Sequence, residues 1–267
     1  MMETRDAALR EMDLSRPAAA RIYDSFLGGC HNFGVDRELA ERLETDLPGI
    51  ADSYQENRAF LRRAVEFMLA HDIRQFLDLG SGIPTIGQVH EVARRRTRDF
   101  RVVYVDNEPL TVAHSRPLLT REPNAAIIHA DIRDPASVLR ASQVRQLLDL
   151  SEPVGLLMSA VLHFVPDSDR PAELVEAYRD AVVPGSHLLI AHLTDSYDPA
   201  AMRTLADFYA ESADPLHARS TSAIEKFLGD FEPIPPGPGL VATWRPEPGP
   251  RPAPRYEINY GAMTRKR

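Results

Sequence analysis

Apolar positions along this chain fall into two regimes. From Pro17 to Ala70 they recur at helical spacing. AAARIYDSFL follows Pro17 as a good helix-forming stretch, and Gly28-Gly29 stop it. Asp36 to Leu47 and Tyr54 to Leu69 read as two further helices, the second burying Phe60, Leu61, Val65, Met68 and Leu69 on one stripe. Beyond residue 70 short continuous apolar runs take over: FLDLG at 76–80, VVYVD at 102–106, AIIHAD at 126–131, VGLLMSA at 154–160 and HLLIAHL at 187–193. Runs of this kind are how parallel strands buried on both faces appear in a sequence. Helical patterns at Ile86 to Arg96, Leu110 to Thr120, Pro135 to Leu148 and Pro171 to Val183 fill the gaps, so repeated βα units and a doubly wound, mostly parallel sheet are expected. Residues 200–229 offer one or two more helices. Proline dominates from Pro233 to Pro254, where only Leu240 to Trp244 could pair, and Tyr256 to Thr264 supplies a last strand. The expected organisation is a helical cap over 1–70 and a sheet domain over 71–267, forming one structural unit. No repeat of solenoid period is present.

Composition narrows the class. A length of 267 residues with 43% apolar content suffices for one large domain with a real core. A net charge of -8 repels polyanions, which argues against nucleic acid and anionic membranes. Cys30 is the single cysteine and cannot form an internal disulfide; no apolar run reaches membrane-spanning length, and the start MMETRDAALREMD is too charged for a signal peptide. A cytoplasmic protein is expected, and no metal site is predicted.

In an open α/β sheet, ligands bind outside the carboxyl ends of the strands. The first strand ends in DLGSGIPTIG, in which Asp78 precedes Gly80, Ser81 and Gly82, with Gly87 placed in the next helix. Glycines there let backbone approach a ligand, and the following helix would present free N–H groups. A Gly-x-Gly pair alone is equally explained by a tight turn without a ligand. The second strand ends at Asp106-Asn107, about 25 positions on, where a carboxylate can accept both hydroxyls of a ribose; the alternative is a helix N-cap ahead of Pro109. The third ends in ADIRD, where Asp131 could take an adenine amine and Ile132 lie against its ring. The competing capping role falls better to Asp134.

Dinucleotide sites require a third glycine where this loop has Pro84. The succession DLGSG, YVD and HADI instead resembles the S-adenosylmethionine site of class I methyltransferases. SAVLHFVPD at 159–167 resembles the end of their fourth strand in small-molecule enzymes, and VVPGSHLLIAH at 182–192 their approach to the fifth, with Ser186 in place of a glycine. The tetrapeptides and Pro-Cys pair of DNA methylases are missing. RPAAARIYDSFLGGCHNFGVDRELAERL, NRAFLRRAV, Trp244 to Pro246 and Tyr260-Gly261 narrow the resemblance to the actinobacterial S-adenosyl methyltransferase family first catalogued as a domain of unknown function. The chain departs from its pattern at Cys30-His31 and at Ala262. The resemblance implies a Rossmann-like class I fold with seven strands, the last antiparallel, and S-adenosylmethionine as cofactor. It places the methionine part on Gly80 to Gly82, the amino end on Asp78, the ribose on Asp106, and the adenine beside Asp131 and Ile132, with Asn107 and Ser159 as further cofactor contacts. The acceptor would be a small molecule.

His163, at the end of the fourth strand, could act as general base, or could be a hydrogen-bonded histidine closing that loop. Tyr23, His31 and Asn32 could wall the acceptor pocket from the cap; otherwise Arg21 and Asp24 form a helical ion pair and Asn32 closes a turn. A non-catalytic binder of S-adenosylmethionine or its product, and a nucleotide-dependent oxidoreductase, are the two competing functions.

Overall fold

The computed structural model describes residues 15–84, 87–249 and 254–267. Three helices open the chain: α1 (Ala19–Phe26), α2 (Gly34–Asp46) and α3 (Ile50–Ala70). They are followed by β1 (Gln75–Leu79), α4 (Val89–Arg96), β2 (Arg101–Asp106), α5 (Pro109–Leu119), β3 (Ala125–His129), α6 (Pro135–Arg140), α7 (Ser142–Leu147), β4 (Val154–Ser159), α8 (Pro171–Asp180), β5 (His187–Leu193), α9 (Pro199–Ala210) and α10 (Thr221–Glu225). Three strands close the chain: β6 (Glu232–Pro233), β7 (Gly239–Leu240) and β8 (Asn259–Arg265). The sheet order is β3-β2-β1-β4-β5-β8-β6, with β7 also paired to β8. β1 to β5 are mutually parallel and β8 runs antiparallel against β5. This is the class I methyltransferase arrangement with one modification. β6 and β7 pair with opposite ends of β8, so together they fill a single edge position that prolines 233, 235 and 236 break in two.

Alternation along the strands divides the core. Leu77, Leu79, Val103 and Val105 face one layer with Val138, Val144, Leu174 and Tyr178. Phe76, Val102 and Tyr104 face the other, against Phe60, Val65 and Met68 of α3. The cap has its own cluster, in which Ile22, Leu39 and Leu43 meet Leu205 and Phe208 of α9 and Leu193 at the end of β5. None of the helices of the described residues is long and apolar enough to cross a membrane.

Four expectations are corrected. The predicted helix over 135–148 breaks at Ala141, whose ψ of 141° is extended. Val138 and Val144, six residues apart, would lie about 120° apart on one continuous helix; the break lets both enter the same core. Pairing at Leu240 does not continue to Trp244, because the buried guanidinium of Arg63 takes the Val241 and Trp244 carbonyls at 2.7 and 3.0 Å and holds a 3₁₀ turn there. Gly87 lies outside α4 at φ 64°, and the helix starts two residues later with Glu91 accepting from the Gly87 and Gln88 amides. Arg21 does not pair with Asp24. It reaches Asp36 and Glu108 instead.

Candidate functional site

A cavity of about 500 Å³ opens over the carboxyl ends of β1, β2, β3 and β4 and is roofed by α1, α3 and the segment after α9. Of the residues predicted from sequence, Asp78, Gly80, Ser81, Gly82, Asp106, Asn107, Asp131, Ile132, Ser159, His163 and Tyr23 line it; His31 and Asn32 do not.

The glycine loop is pinned to β2. The amides of Gly80 and Ser81 both donate to the Val105 carbonyl, at 2.9 and 3.0 Å, and that of Gly82 donates to Asp106 Oδ2 at 2.8 Å. These N–H groups are therefore engaged by protein, and α4 starts too far along to present its own directly after the loop. Gly80 is required twice over: its φ is 73°, and a Cβ there would lie 2.1 Å from Val161 Cγ2. Across the cavity floor the chain after β4 turns through Ala160 at φ 58°, an uncommon conformation for a residue with a side chain, and so directs Val161 at the glycine loop.

Two acids stand in the floor. Asp78 is buried within β1; burial, reinforced by the charge of Asp106 and opposed by Arg58, pushes its carboxyl up to about 7. Its Oδ2 is buried and has no hydrogen-bond partner among the described residues. Asp106 accepts from the Gly82 amide and, through Oδ1, from the Glu108 amide at 2.9 Å, yet burial outweighs these bonds and also pushes it to about 7. Glu108, not Asp106, caps α5, accepting from the Thr111 amide at 2.8 Å. Asp131 is gripped through both oxygens by Arg133, which also reaches Asp169 at 2.9 Å. Burial works to raise the Asp131 carboxyl, but these bonds prevail and hold it below the usual range. Asp134 caps α6 as the sequence suggests.

His163 is buried, and its Nδ1 accepts from the Leu193 amide at 3.3 Å. Burial first, then the neighbouring His192 and Arg219, pull its pKa well below the ordinary value. The ring is neutral, and with Nδ1 occupied its proton sits on Nε2.

From the cap, Tyr23 accepts from Asn57 Nδ2 at 2.9 Å and donates to the Tyr54 carbonyl; Asn57 also reaches Ser159 Oγ at 3.3 Å. Asn32 instead closes the turn after α1, donating to the Gly29 carbonyl and to Asp24, whose carboxylate also accepts from the His31 amide. Sequence reasoning passed over Asn57 and Arg58. Arg58 lines the cavity with its guanidinium 5.1 Å from the Tyr23 ring centre, and its Nε is buried without a hydrogen-bond partner among the described residues. The signal was there: Tyr54, Asn57, Arg58 and Leu61 share one helical stripe, and polar residues on an otherwise apolar stripe mark a lined cavity. The roof after α9 is stitched to the cap by Ala213 N to Pro17 O (2.9 Å) and Ala19 N to Asp214 Oδ2 (2.8 Å).

Comparison with known proteins places this architecture. The chain aligns over 95% of its length with a candidate methyltransferase of Thermobifida fusca, 40% identical, covering 96% of that chain at a TM-score of 0.88. A DUF574 family protein of Streptomyces avermitilis is 35% identical over 96% of this chain and 99% of its own, with a TM-score of 0.91. The N-methyltransferase NodS of Bradyrhizobium japonicum, solved with S-adenosyl-L-homocysteine, shares the fold at 14% identity and a TM-score of 0.53, over 92% and 98% of the two chains. No curated protein matches the chain in sequence. The family described as S-adenosyl methyltransferase matches residues 5–267. With that span and those two relatives, the chain belongs to the S-adenosyl methyltransferase family and is an S-adenosylmethionine-dependent methyltransferase.

Proposed function

We propose that the protein methylates a small molecule, and that the cofactor lies across the ends of β1, β2 and β3 with its amino-acid end between Asp78 and Arg58. The observation that carries this placement is the pair of open valences: among the described residues, a buried carboxylate oxygen and a buried guanidinium nitrogen in the same cavity each lack a hydrogen-bond partner. Buried charged groups left unsatisfied are costly. An α-ammonium and an α-carboxylate would satisfy both. The residues present therefore fit the cofactor, which supplies a methyl group on a sulfonium.

In this reading Asp106 accepts the ribose hydroxyls while keeping the glycine loop in place, and Asn107 borders the same end. Ile132 offers an apolar face to the adenine, and Arg133 holds the Asp131 carboxylate oriented toward its edge. Ser159 and Asn57 stand at the end of β4, where donor and acceptor would meet. Displacement at a sulfonium methyl needs alignment and exclusion of water more than a proton acceptor. His163 accordingly serves by holding the loop after β4 against β5, its Nε2 being a donor.

Calorimetry with S-adenosylhomocysteine and with adenosine tests the placement. Arg58→Met should weaken S-adenosylhomocysteine by about tenfold or more, one charge-assisted hydrogen bond, and leave adenosine unchanged; equal effects on both would remove the head-group assignment. The pH dependence has a defined sign. Asp78 and Asp106 sit above their unfolded values in the unliganded protein, at about 7, so between pH 4 and 7 the folded state holds protons the unfolded chain has released. Their contribution to stability is therefore best at low pH and is lost as pH rises to 7. Cofactor binding runs the other way, because an ammonium on Asp78 requires the carboxylate. Affinity for S-adenosylhomocysteine should fall about tenfold per pH unit below 7 for each proton that must leave, and level off above it. A flat profile from pH 5.5 to 8 would count against Asp78.

A further inference from the structure

The cavity has a second half that the cofactor placement leaves free. Strand order reverses between β1 and β4, so a nucleoside over β1, β2 and β3 leaves the ends of β4, β5 and β8 uncovered. Rings dominate the walls there: Tyr23 of α1, Tyr54 of α3, Phe164 after β4 and Tyr209 of α9, with Leu193 and Ile258 between them. Tyr23 meets Tyr54 edge-on at 5.5 Å between centroids, and Phe164 tilts against Tyr209 at 5.6 Å.

Two of these rings carry an unbalanced polar inventory. The hydroxyls of Tyr54 and Tyr209 bond to each other at 3.0 Å, and neither has a second partner among the described residues. Two hydroxyls joined by one hydrogen bond use one of their two protons. The remaining O–H is without a protein acceptor among the described residues, on residues that are 91% and 98% buried, and takes one from whatever fills the cavity, water or a ligand. Burial, ahead of the neighbouring tyrosine, raises the Tyr54 hydroxyl well above its ordinary value, and burial likewise raises that of Tyr209, so both protons are present at neutral pH.

The charged groups lining the cavity are occupied elsewhere. Arg58, over the Tyr23 ring, is taken up by the cofactor's carboxylate in the proposed placement, Arg133 holds Asp131, Glu108 holds Arg21, and Asp24 is tied into the turn after α1. Asp214 takes the Ala19 amide, and His217 lies toward Asp167. A carboxylate or phosphate entering the aromatic half would lose its hydration with no cation to replace it. A flat apolar ring would gain stacked and edge contacts from four aromatic walls.

The geometry points to a methyl acceptor that is neutral and aromatic and that presents one hydrogen-bond acceptor atom, a carbonyl oxygen or heterocyclic nitrogen, to the Tyr54–Tyr209 hydroxyl pair. This assignment rests on the cofactor occupying the other half. Specificity then comes from the rings for shape and from the spare hydroxyl proton for orientation.

Three probes on one flat bicyclic frame separate the possibilities on protein first saturated with S-adenosylhomocysteine: 4-quinolone, quinoline-4-carboxylate and naphthalene, followed by NMR titration. 4-Quinolone should bind at least tenfold more tightly than the carboxylate. In the Tyr54→Phe/Tyr209→Phe double variant its affinity should drop about tenfold, the loss of one buried hydrogen bond, while naphthalene is unaffected. Each single variant keeps one hydroxyl with its proton and should lose less than the double. Equal or tighter binding of the carboxylate, no binding of 4-quinolone, or an unchanged 4-quinolone affinity in the double variant overturns the assignment. Saturation with S-adenosylhomocysteine is measured first on each sample. Failure at that step indicts the cofactor placement, whereas failure of the quinolone pattern on loaded protein indicts only the acceptor class.

Discussion

Asp106→Ala is expected to reduce S-adenosylhomocysteine binding by at least a hundredfold in calorimetry, beyond the measurable range for a moderate binder, with the protein still folded by circular dichroism. The magnitude follows from two roles in one side chain. Two hydroxyl bonds to an ionised carboxylate contribute about 1.5–3 kcal/mol each, and the same carboxylate holds the Gly82 amide at 2.8 Å, so its loss also frees the glycine loop on which the proposed placement seats the cofactor. The fold should tolerate the change because burial makes this carboxylate expensive in the unliganded protein, where it is pushed to about 7. Asp106→Asn keeps an oxygen and the shape but loses the charge, and should fall between wild type and alanine. An alanine variant with wild-type affinity would remove the ribose assignment and shift attention to Glu108, the other acid on that wall.

The parts of this site that are legible in the sequence are those carried by strand ends. Parallel strands buried on both faces must be continuously apolar, so an acid within or directly after such a run, as at Asp78 and Asp106, stands out and is automatically placed at the ligand edge. The capping alternative for Asp106 turned on a detail of one turn, namely that Glu108 reaches Thr111 first. The parts contributed by helices were harder to see. Arg58 and Asn57 sit in a charged and apolar mixture on α3, and their direction depends on how the cap lies over the sheet. Tyr209 enters from an element 155 residues beyond its partner Tyr54, a pairing that no local pattern encodes. His31 and Asn32 were misdirected by the same limit: their sequence chemistry suits a pocket, but Asp24 and the Gly29 carbonyl draw Asn32 back into its own turn. The edge strand was misjudged because Arg63, far upstream, takes the carbonyls that Leu240 to Trp244 would need to extend the ladder.

The stretch RIYDSFLGG owes its place to Arg21, and Arg21→Leu should cost about 3–5 kcal/mol of stability, the usual penalty for removing one partner of a buried ion pair. Arg21 is buried in α1, with Nε on Asp36 Oδ2 at 2.8 Å, Nη2 on the Arg16 carbonyl at 2.7 Å, and Nη1 on Glu108. Asp36 is fully buried and also receives the Ala18 and Phe33 amides at 3.0 and 2.9 Å. Leucine would leave that carboxylate without a cation and Glu108 without its tether, so the melting temperature should fall by about 10 °C in a chain of this size. Asp36→Asn in the same background should recover part of the loss, since an amide oxygen still accepts one of the two backbone donors and the unpaired charge is gone. The consequence reaches the site. Arg21 joins the cap to α5, the helix that follows β2, and Tyr23, two residues on, supports Asn57 and stacks beneath Arg58. The doubly substituted protein, folded again but still lacking that tether, should therefore bind S-adenosylhomocysteine more weakly than wild type. Full recovery of affinity together with stability would show that α1 roofs the cavity without shaping it.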